Sequence, residues 1–230
     1  VKTVVFDIET VSRPWLDLDE IQRGRLTRWA EDHEDFLRRK EGGALSPYTG
    51  KVIVIAMLNP ETGRGIVWYE AEGERAARAA EDGLFEYVAC DEATMLREFW
   101  AHVDKFERFV SFNGRSFDGP FLSVRSAIHA LQPSKNLSGY RYSMESHVDL
   151  LEVLTFHGTV SRDQSPSLHS ACVAFGIPSP KSEEMHGYAV GDAYREGRLA
   201  EVAEYCRRDV EATAALYRRL ETTLLPLFKR

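Results

Sequence analysis

Apolar residues recur along this chain with two different periods. Val1 to Phe6 is a short apolar run that reads as a buried strand, and "KVIVIAML" at 51–58 reads as a second. "NPETGRG" at 59–65 is turn chemistry, and "IVWYE" returns as the hairpin partner. "FEYVAC" at 85–90 is a further short strand, and "RFVSFNG" at 108–114 is a strand running into a turn. Elsewhere the period is helical. Asp91 caps a helix through Phe106 that carries Met95, Leu96, Phe99, Trp100 and Val103 on one face. "FLSVRSAIHALQ" at 121–132 is a helix ended by Pro133, and Ser165-Pro166 open another that Gly176 closes. Arg198 to Leu220 is a long final helix, striped by Leu199, Ala203, Cys206, Val210, Tyr217 and Leu220. "HVDLLEVL" at 147–154 fits strand or helix equally. Strands alternating with helices around one early hairpin predict an α/β domain with a mixed sheet.

Two stretches stand outside this alternation. Residues 12–50 form an excursion after the first strand, in which Leu26, Trp29, His33, Phe36 and Leu37 recur at helical spacing. One or two amphipathic helices are expected, their stripe packed on the domain. The segment holds seven basic residues (Arg13, Arg23, Arg25, Arg28, Arg38, Arg39, Lys40) against eight acids, so it is an arm over a substrate channel or a charge-balanced surface elaboration. Residues 71–83 are rich in Ala, Glu and Arg and read as exposed.

With 230 residues and 43% hydrophobic content, one domain with a full core is expected over 1–230. No apolar run approaches the ~20 residues of a membrane helix, and the first residues are too short for a signal peptide. Cys90, Cys172 and Cys206 lack metal-like spacing and read as buried free thiols, consistent with a reducing, cytoplasmic setting. The net charge of −7 argues against a protein that holds nucleic acid mainly through its phosphates.

The chemistry concentrates in three places. In "VVFDIET", Asp7 and Glu9 point the same way at the end of the first strand. Two adjacent carboxylates repel, and the neighbours offer no Lys or Arg, so a hard divalent cation competes with a plain solvated strand end. In "SFNGRSFDGPFL", Asp118 precedes an apolar helix, where an N-cap is the simplest role. In "EYCRRDVEAT", Tyr205 and Asp209 lie four apart on one helix face.

Together, D-x-E, N-x-x-x-F-D and Y-x-x-x-D in this order resemble the DEDD superfamily of 3′–5′ exonucleases, in its tyrosine (DEDDy) variant. The histidine variant would place His where Glu204 stands. "FDIET", "FNGRSFDGPFL", "YCRRDVEAT", "AFGIPSPK" and "YREGRLAEVAEYC" are most similar to free-standing bacterial relatives of the family B DNA polymerase proofreading domain. The resemblance implies an RNase H-like three-layer fold with about five strands in the central sheet. It implies two ions, Mg²⁺ or Mn²⁺, with Asp7 bridging, Glu9 and Asp209 on the first ion and Asp118 on the second. Tyr205 would orient the attacking water, and Thr10, Asn113 and Phe117 would line the pocket for the terminal nucleotide. The implied substrate is single-stranded nucleic acid with a free 3′ end, DNA favoured over RNA. The protein would act as a monomer, any polymerase or repair partner would work in trans, and the resemblance leaves 12–50 and 71–83 unexplained.

Two other readings compete. "FDIET" also resembles the D-x-D-x-T element of haloacid-dehalogenase-type phosphatases, with "VGDAYRE" at 190–196 as a loose counterpart of their later acidic element. It leaves Asp118, Tyr205 and Asp209 without roles. An inactive RNase H-like binding module would not need four carboxylates. Arg207, Arg208, Lys181, His157, His169 and His186 read as solvated or structural, as does Asp149.

Overall fold

The computed structural model describes every residue except 72, 74, 141, 142, 181–188, 229 and 230. Seven strands form one sheet: β1 (Thr3–Ser12), β2 (Gly50–Leu58), β3 (Gly65–Glu70), β4 (Ala76–Ala79), β5 (Phe85–Cys90), β6 (Arg108–Ser111) and β7 (His147–Asp149). Their order is β4-β5-β3-β2-β1-β6-β7. The β1–β2, β2–β3 and β4–β5 pairs are antiparallel, and β3–β5, β1–β6 and β6–β7 are parallel. Two strands exceed expectation. β4 forms inside the 71–83 stretch as an edge strand exposed along its whole length, and β7 resolves the ambiguous 147–154 segment as strand followed by helix.

The helices are α1 (Glu20–Thr27), α2 (His33–Glu41), α3 (Glu92–Val103), α4 (Asp118–Ile128), α5 (Leu150–Leu154), α6 (Leu168–Ala174), α7 (Ala189–Arg195) and α8 (Leu199–Glu221). The sheet separates two cores. On one face Val5, Val11, Ile53, Val54 and Val67 meet Cys206, Val210, Ala214 and Tyr217 of α8. On the other, Val4, Phe6, Ile8, Ile55 and Trp68 meet Met95, Leu96, Phe99 and Val103 of α3 and Phe121 and Leu122 of α4. Burying such side chains is worth roughly 1.5–3 kcal/mol each. Among the described residues no helix is long and apolar enough to cross a membrane.

The β1–β2 register slips by one between Glu9↔Val54 and Thr10↔Val52, leaving Ile53 as the extra residue of a β-bulge. Consecutive residues Ile53 and Val54 consequently enter the same core. β1 itself keeps its alternation.

Residues 12–50 form two helices as expected, but the stripe does not pack on the domain. Leu26 and Phe36 are half-buried, Trp29 and Leu37 are exposed, and the buried side chain of α2 is Asp35. Asp35 ion-pairs with Arg38 and Arg39 and accepts the Glu31 N–H at 3.2 Å. The aromatic centre of the arm is Trp15, edge-on to Phe36 at 5.9 Å and flanked by Arg23 and Lys40. The arm is tied to β1 by the Thr10 hydroxyl on Ala44 O at 2.8 Å and the Ser12 hydroxyl on Lys40 O at 3.1 Å. Arg125 of α4 donates to Pro47 O at 3.2 Å and also pairs with buried Glu92. Burial pushes the Glu92 carboxyl up, but Arg125, the Val52 N–H and His129 outweigh it and hold the group below its usual range.

Candidate active site

β1 continues through Ser12, so Asp7 and Glu9 lie within a strand rather than at its end. Their neighbours on the same face, Val5 and Val11, belong to the core under α8. The strand alternation that buries the valines therefore also turns both carboxylates toward α8. That helix presents Tyr205, Cys206 and Asp209 as buried residues.

Asp118 is the first residue of α4. Phe117 holds the cap position without a side-chain cap, so Asp118 is not an N-cap. Pairing of β1 with β6 ends at Val5↔Val110, and beyond it the Ile8 N–H donates to Asp118 Oδ1 at 3.1 Å. The carboxylate is thereby fixed beside the strand that carries Asp7 and Glu9.

Electrostatics join the four acids. Burial, then the charges of Asp118, Asp209 and Glu9, push Asp7 well above the usual carboxylate range. Burial, then Asp209 and Asp118, do the same to Glu9. Burial, then Asp149 and Asp209, push Asp118 up to about 7 despite the Ile8 N–H. The other charges acting on Asp7 and Glu9 are carboxylates, which is unfavourable in a desolvated site. Burial and the charges of Asp209, Glu9 and Asp7 raise Tyr205, which keeps its proton.

Cys206 belongs to this cluster, though the sequence stripe marks it only as core. Its Sγ lies 3.5 Å from Asp7 Oδ2 and 3.7 Å from Asp7 O. Burial and the charges of Asp7, Glu9 and Asp209 raise its pKa, so it is a thiol that donates to Asp7. Asp7, Glu9 and Cys206 each offer one ligand atom, all within 4.8 Å of one another.

The turn before α4 is built by Asp149. Its Oδ1 accepts the Asn113 N–H at 2.8 Å and the Leu151 N–H at 3.0 Å, and its Oδ2 accepts the Arg115 N–H at 3.0 Å. Asn113 is left-handed at φ 68°, a conformation Asn tolerates. Gly114 is required by space, because a Cβ there would meet Ser111 Oγ at 2.4 Å. Behind the turn His147 is buried between Ser111 Oγ and Leu137 O, and burial lowers it to about 4.

Asp7, Glu9, Asp118, Tyr205 and Asp209 are thus brought together. Thr10 follows Glu9 in the strand with its hydroxyl committed to Ala44 O. Asn113 is exposed at the turn, and half-buried Phe117 packs on Phe121 at 5.4 Å. Arg207 is not simply solvated: it pairs with Asp82 and Glu211 and lies over Phe85. Arg208 donates to Pro180 O at 3.1 Å and lies 5.9 Å from the Tyr205 ring. Glu204 accepts a hydrogen bond from Tyr87. Lys181 and His186 lie outside the described residues. His169 bonds Ser179, and His157 stands 3.7 Å from Glu152. Asp192 and Glu196, which the phosphatase reading needs, are exposed and pair with Arg195 and Arg198.

A family described as "Predicted 3′-5′ exonuclease related to the exonuclease domain of PolB" matches residues 74–225. Asp118, Tyr205 and Asp209 fall within the match, and Asp7 and Glu9 precede it. No curated protein sequence matches the chain. Among solved structures, the family B DNA polymerase from the hyperthermophilic archaeon Pyrobaculum calidifontis matches with a TM-score of 0.59 at 18% identity. The match covers 96% of this chain and 24% of the polymerase, so the chain spans about a quarter of that protein. That likeness is one of fold, and the fold is RNase H-like. The family match extends over more than half of the chain and includes two of the three motifs, and the chain belongs to the family of predicted 3′–5′ exonucleases related to the exonuclease domain of PolB.

Proposed function

We propose that the protein is a metal-dependent 3′–5′ exonuclease that shortens single-stranded nucleic acid, DNA in preference to RNA, and releases nucleoside 5′-monophosphates. One observation carries this reading. Four carboxylates from β1, α4 and α8 meet beside a protonated tyrosine: the Ile8 N–H holds Asp118 next to the strand that carries Asp7 and Glu9, and the charge of Asp209 acts on all three. A cluster of hard oxygen donors with that much unrelieved repulsion fits Mg²⁺ or Mn²⁺. Following the resemblance, Asp7 would serve two ions, Glu9 and Asp209 one of them, and Asp118 the other. When bound, the ions acidify the attacking water and offset charge at the scissile phosphate.

The chain's own residues supply position. The neutral Tyr205 hydroxyl holds the water in line with the departing 3′ oxygen. Cys206 fixes Asp7 from the helix side, and the Ile8 N–H fixes Asp118. Phe117 offers a ring face to the terminal base, a contact that tolerates any sequence. Thr10 and Asn113 complete the pocket. Attack by water at phosphorus breaks the bond to the 3′ oxygen, which leaves with a proton on the shortened strand.

The direct test is digestion of 3′- and 5′-labelled single strands of DNA and RNA with Mg²⁺, Mn²⁺ or EDTA. Shortening from the 3′ end that stops in EDTA is expected, and full activity in EDTA would overturn the reading. The p-nitrophenyl ester of thymidine 5′-monophosphate should be hydrolysed in preference to p-nitrophenyl phosphate. A reversed preference would favour the phosphatase.

Tyr205→Phe keeps the ring and removes only the hydroxyl. A misplaced nucleophile costs about 10²-fold. We expect kcat to fall by about that factor, with KM and Tm nearly unchanged. Full kcat in this variant would reduce Tyr205 to a packing residue.

A further inference from the structure

The arm formed by residues 12–50 has no place in the chemistry above, yet it carries several exposed large apolar side chains. Leu16, Ile21, Trp29, Leu37, Leu45 and Tyr48 are all exposed, Trp29 at 66% and Tyr48 at 64%.

Several of the arm's charged residues build it, and Asp17, Glu20, Glu31 and Glu34 are exposed acids outside that set. Asp19 and Asp32 cap α1 and α2, Asp35 holds Arg38 and Arg39, and Glu41 pairs with Arg195 of α7 at 2.9 Å. Arg23 is committed to Trp15 O and Leu16 O, both at 2.9 Å. These groups build the arm. Arg25 and Arg28 do not. Both are exposed, and neither has a carboxylate partner among the described residues. They are three apart at the end of α1 and share a face. The Arg28 guanidinium lies 4.7 Å from the Trp29 ring.

Position connects this face to the acid cluster. Thr10 follows Glu9 and holds Ala44, while Ser12 holds Lys40 at the end of α2. α2 has nine residues and is about 13 Å long. α1 packs beside it, so Arg25, Arg28 and Trp29 stand about one short helix from the strand that bears Glu9. Tyr48 lies nearer, on the segment that Thr10 and Arg125 pin down from two sides.

We propose that Arg25, Arg28, Trp29 and Tyr48 form a docking surface for the single strand upstream of the nucleotide being removed. The arginines meet phosphates and the rings stack on bases. Aromatic platforms interleaved with cations are how single strands are held without sequence preference. The proposal rests on the exonuclease reading for its substrate class, but its test does not depend on turnover.

Binding of 5′-fluorescein oligo(dT) and oligo(rU) is measured by anisotropy across a salt series, with Ca²⁺ in place of Mg²⁺ so that cleavage does not interfere. Wild type, Arg25→Gln/Arg28→Gln, Trp29→Ala and Tyr48→Ala are compared. Each phosphate neutralised on a single strand contributes about 0.7 to the slope of log K against log salt, so the double variant should lower that slope by about 1.4. Trp29→Ala should weaken binding about tenfold at every salt concentration, as lost stacking does. All side chains replaced are exposed, so Tm should not move. Hydrolysis of the p-nitrophenyl ester, too small to reach the arm, should be equal in all four proteins. Failure of wild type to hydrolyse the ester would count against the exonuclease reading alone. Unchanged affinity and salt slope in the variants, or no strand binding by wild type, would overturn the docking surface, and capture of a protein partner by the same face would replace it.

Discussion

Asp7→Asn is expected to lower kcat/KM on a single strand by about 10³-fold or more and to leave the metal-free protein at least as heat-stable as wild type. The first part follows from the position of Asp7, which feels Asp118, Asp209 and Glu9 together. On the proposed reading Asp7 would be shared between ions, a position that would support several kcal/mol of charge stabilisation at phosphorus, and each 1.36 kcal/mol is tenfold in rate. The second part follows from burial. Asn keeps the shape, still accepts a hydrogen bond from Cys206, and removes a carboxylate whose charged form is disfavoured in the fold. Calorimetry in EDTA checks stability, titration with Mn²⁺ checks affinity, and the labelled-strand assay checks rate. A Tm that collapses in the variant would show that Asp7 is held for structure.

Asp118→Asn is expected to flatten the pH dependence of stability in the metal-free protein. Its carboxyl titrates at about 7 in the fold against 3.8 ordinarily, with burial as the main cause and Asp149 and Asp209 adding to it. The native state therefore holds this proton more tightly than the unfolded chain. Between pH 3.8 and about 7 unfolding releases the proton, so stability falls as pH rises through that window and is fully present only below it. The upper bound is about 4 kcal/mol, shared with the coupled carboxylates. Other groups contribute their own slopes; burial of neutral His147, lowered to about 4, works in the opposite direction. The quantity to read is thus the difference between wild type and variant in urea unfolding at pH 4.5 and 7.5 in EDTA. Asn retains an acceptor for the Ile8 N–H, so the comparison isolates the charge. Parallel pH profiles would mean that Asp118 ionises normally. Adding Mg²⁺ should restore stability at pH 7.5 in wild type more than in the variant.

The long elements and the acids were legible because each carries a strong local pattern. β2, α3 and α8 have clean periods, and the order D-x-E, N-x-x-x-F-D, Y-x-x-x-D survives any error in element boundaries. What escaped is what depends on neighbours. β1 looked as if it stopped at Phe6, because Asp7 and Glu9 are poor strand formers; pairing with β2 carries it on to Ser12. β4 consists of Ala and Arg, and only the antiparallel register with β5 makes it a strand. Cys206 fits an apolar stripe whatever it touches, and its contact with Asp7 spans 199 residues of sequence. Asp149 gave no hint that it accepts three N–H groups from a turn and a helix start. The arm's helices follow from their spacing, but the assumption that Trp29 and Leu37 face inward failed, because Asp35 with Arg38 and Arg39 supplies the interior of α2 instead.

Ser12 and Gly50, where the arm leaves and rejoins the sheet, are cross-strand partners. In topology the whole arm is therefore the loop of a β-hairpin. A hairpin loop sets no constraint on strand order, so residues 13–49 form a transplantable module. A two-residue turn could replace them while β1 and β2 kept their register, and the same arm could be spliced onto another domain that offers an equivalent strand pair. The cost would fall on groups left behind, the Thr10 and Ser12 hydroxyls and the Arg125 and Arg195 guanidiniums, which would lose Ala44 O, Lys40 O, Pro47 O and the Glu41 carboxylate. On the readings proposed above, the acid cluster and the docking surface could accordingly be exchanged independently, with the bulge at Ile53 as the seam between them.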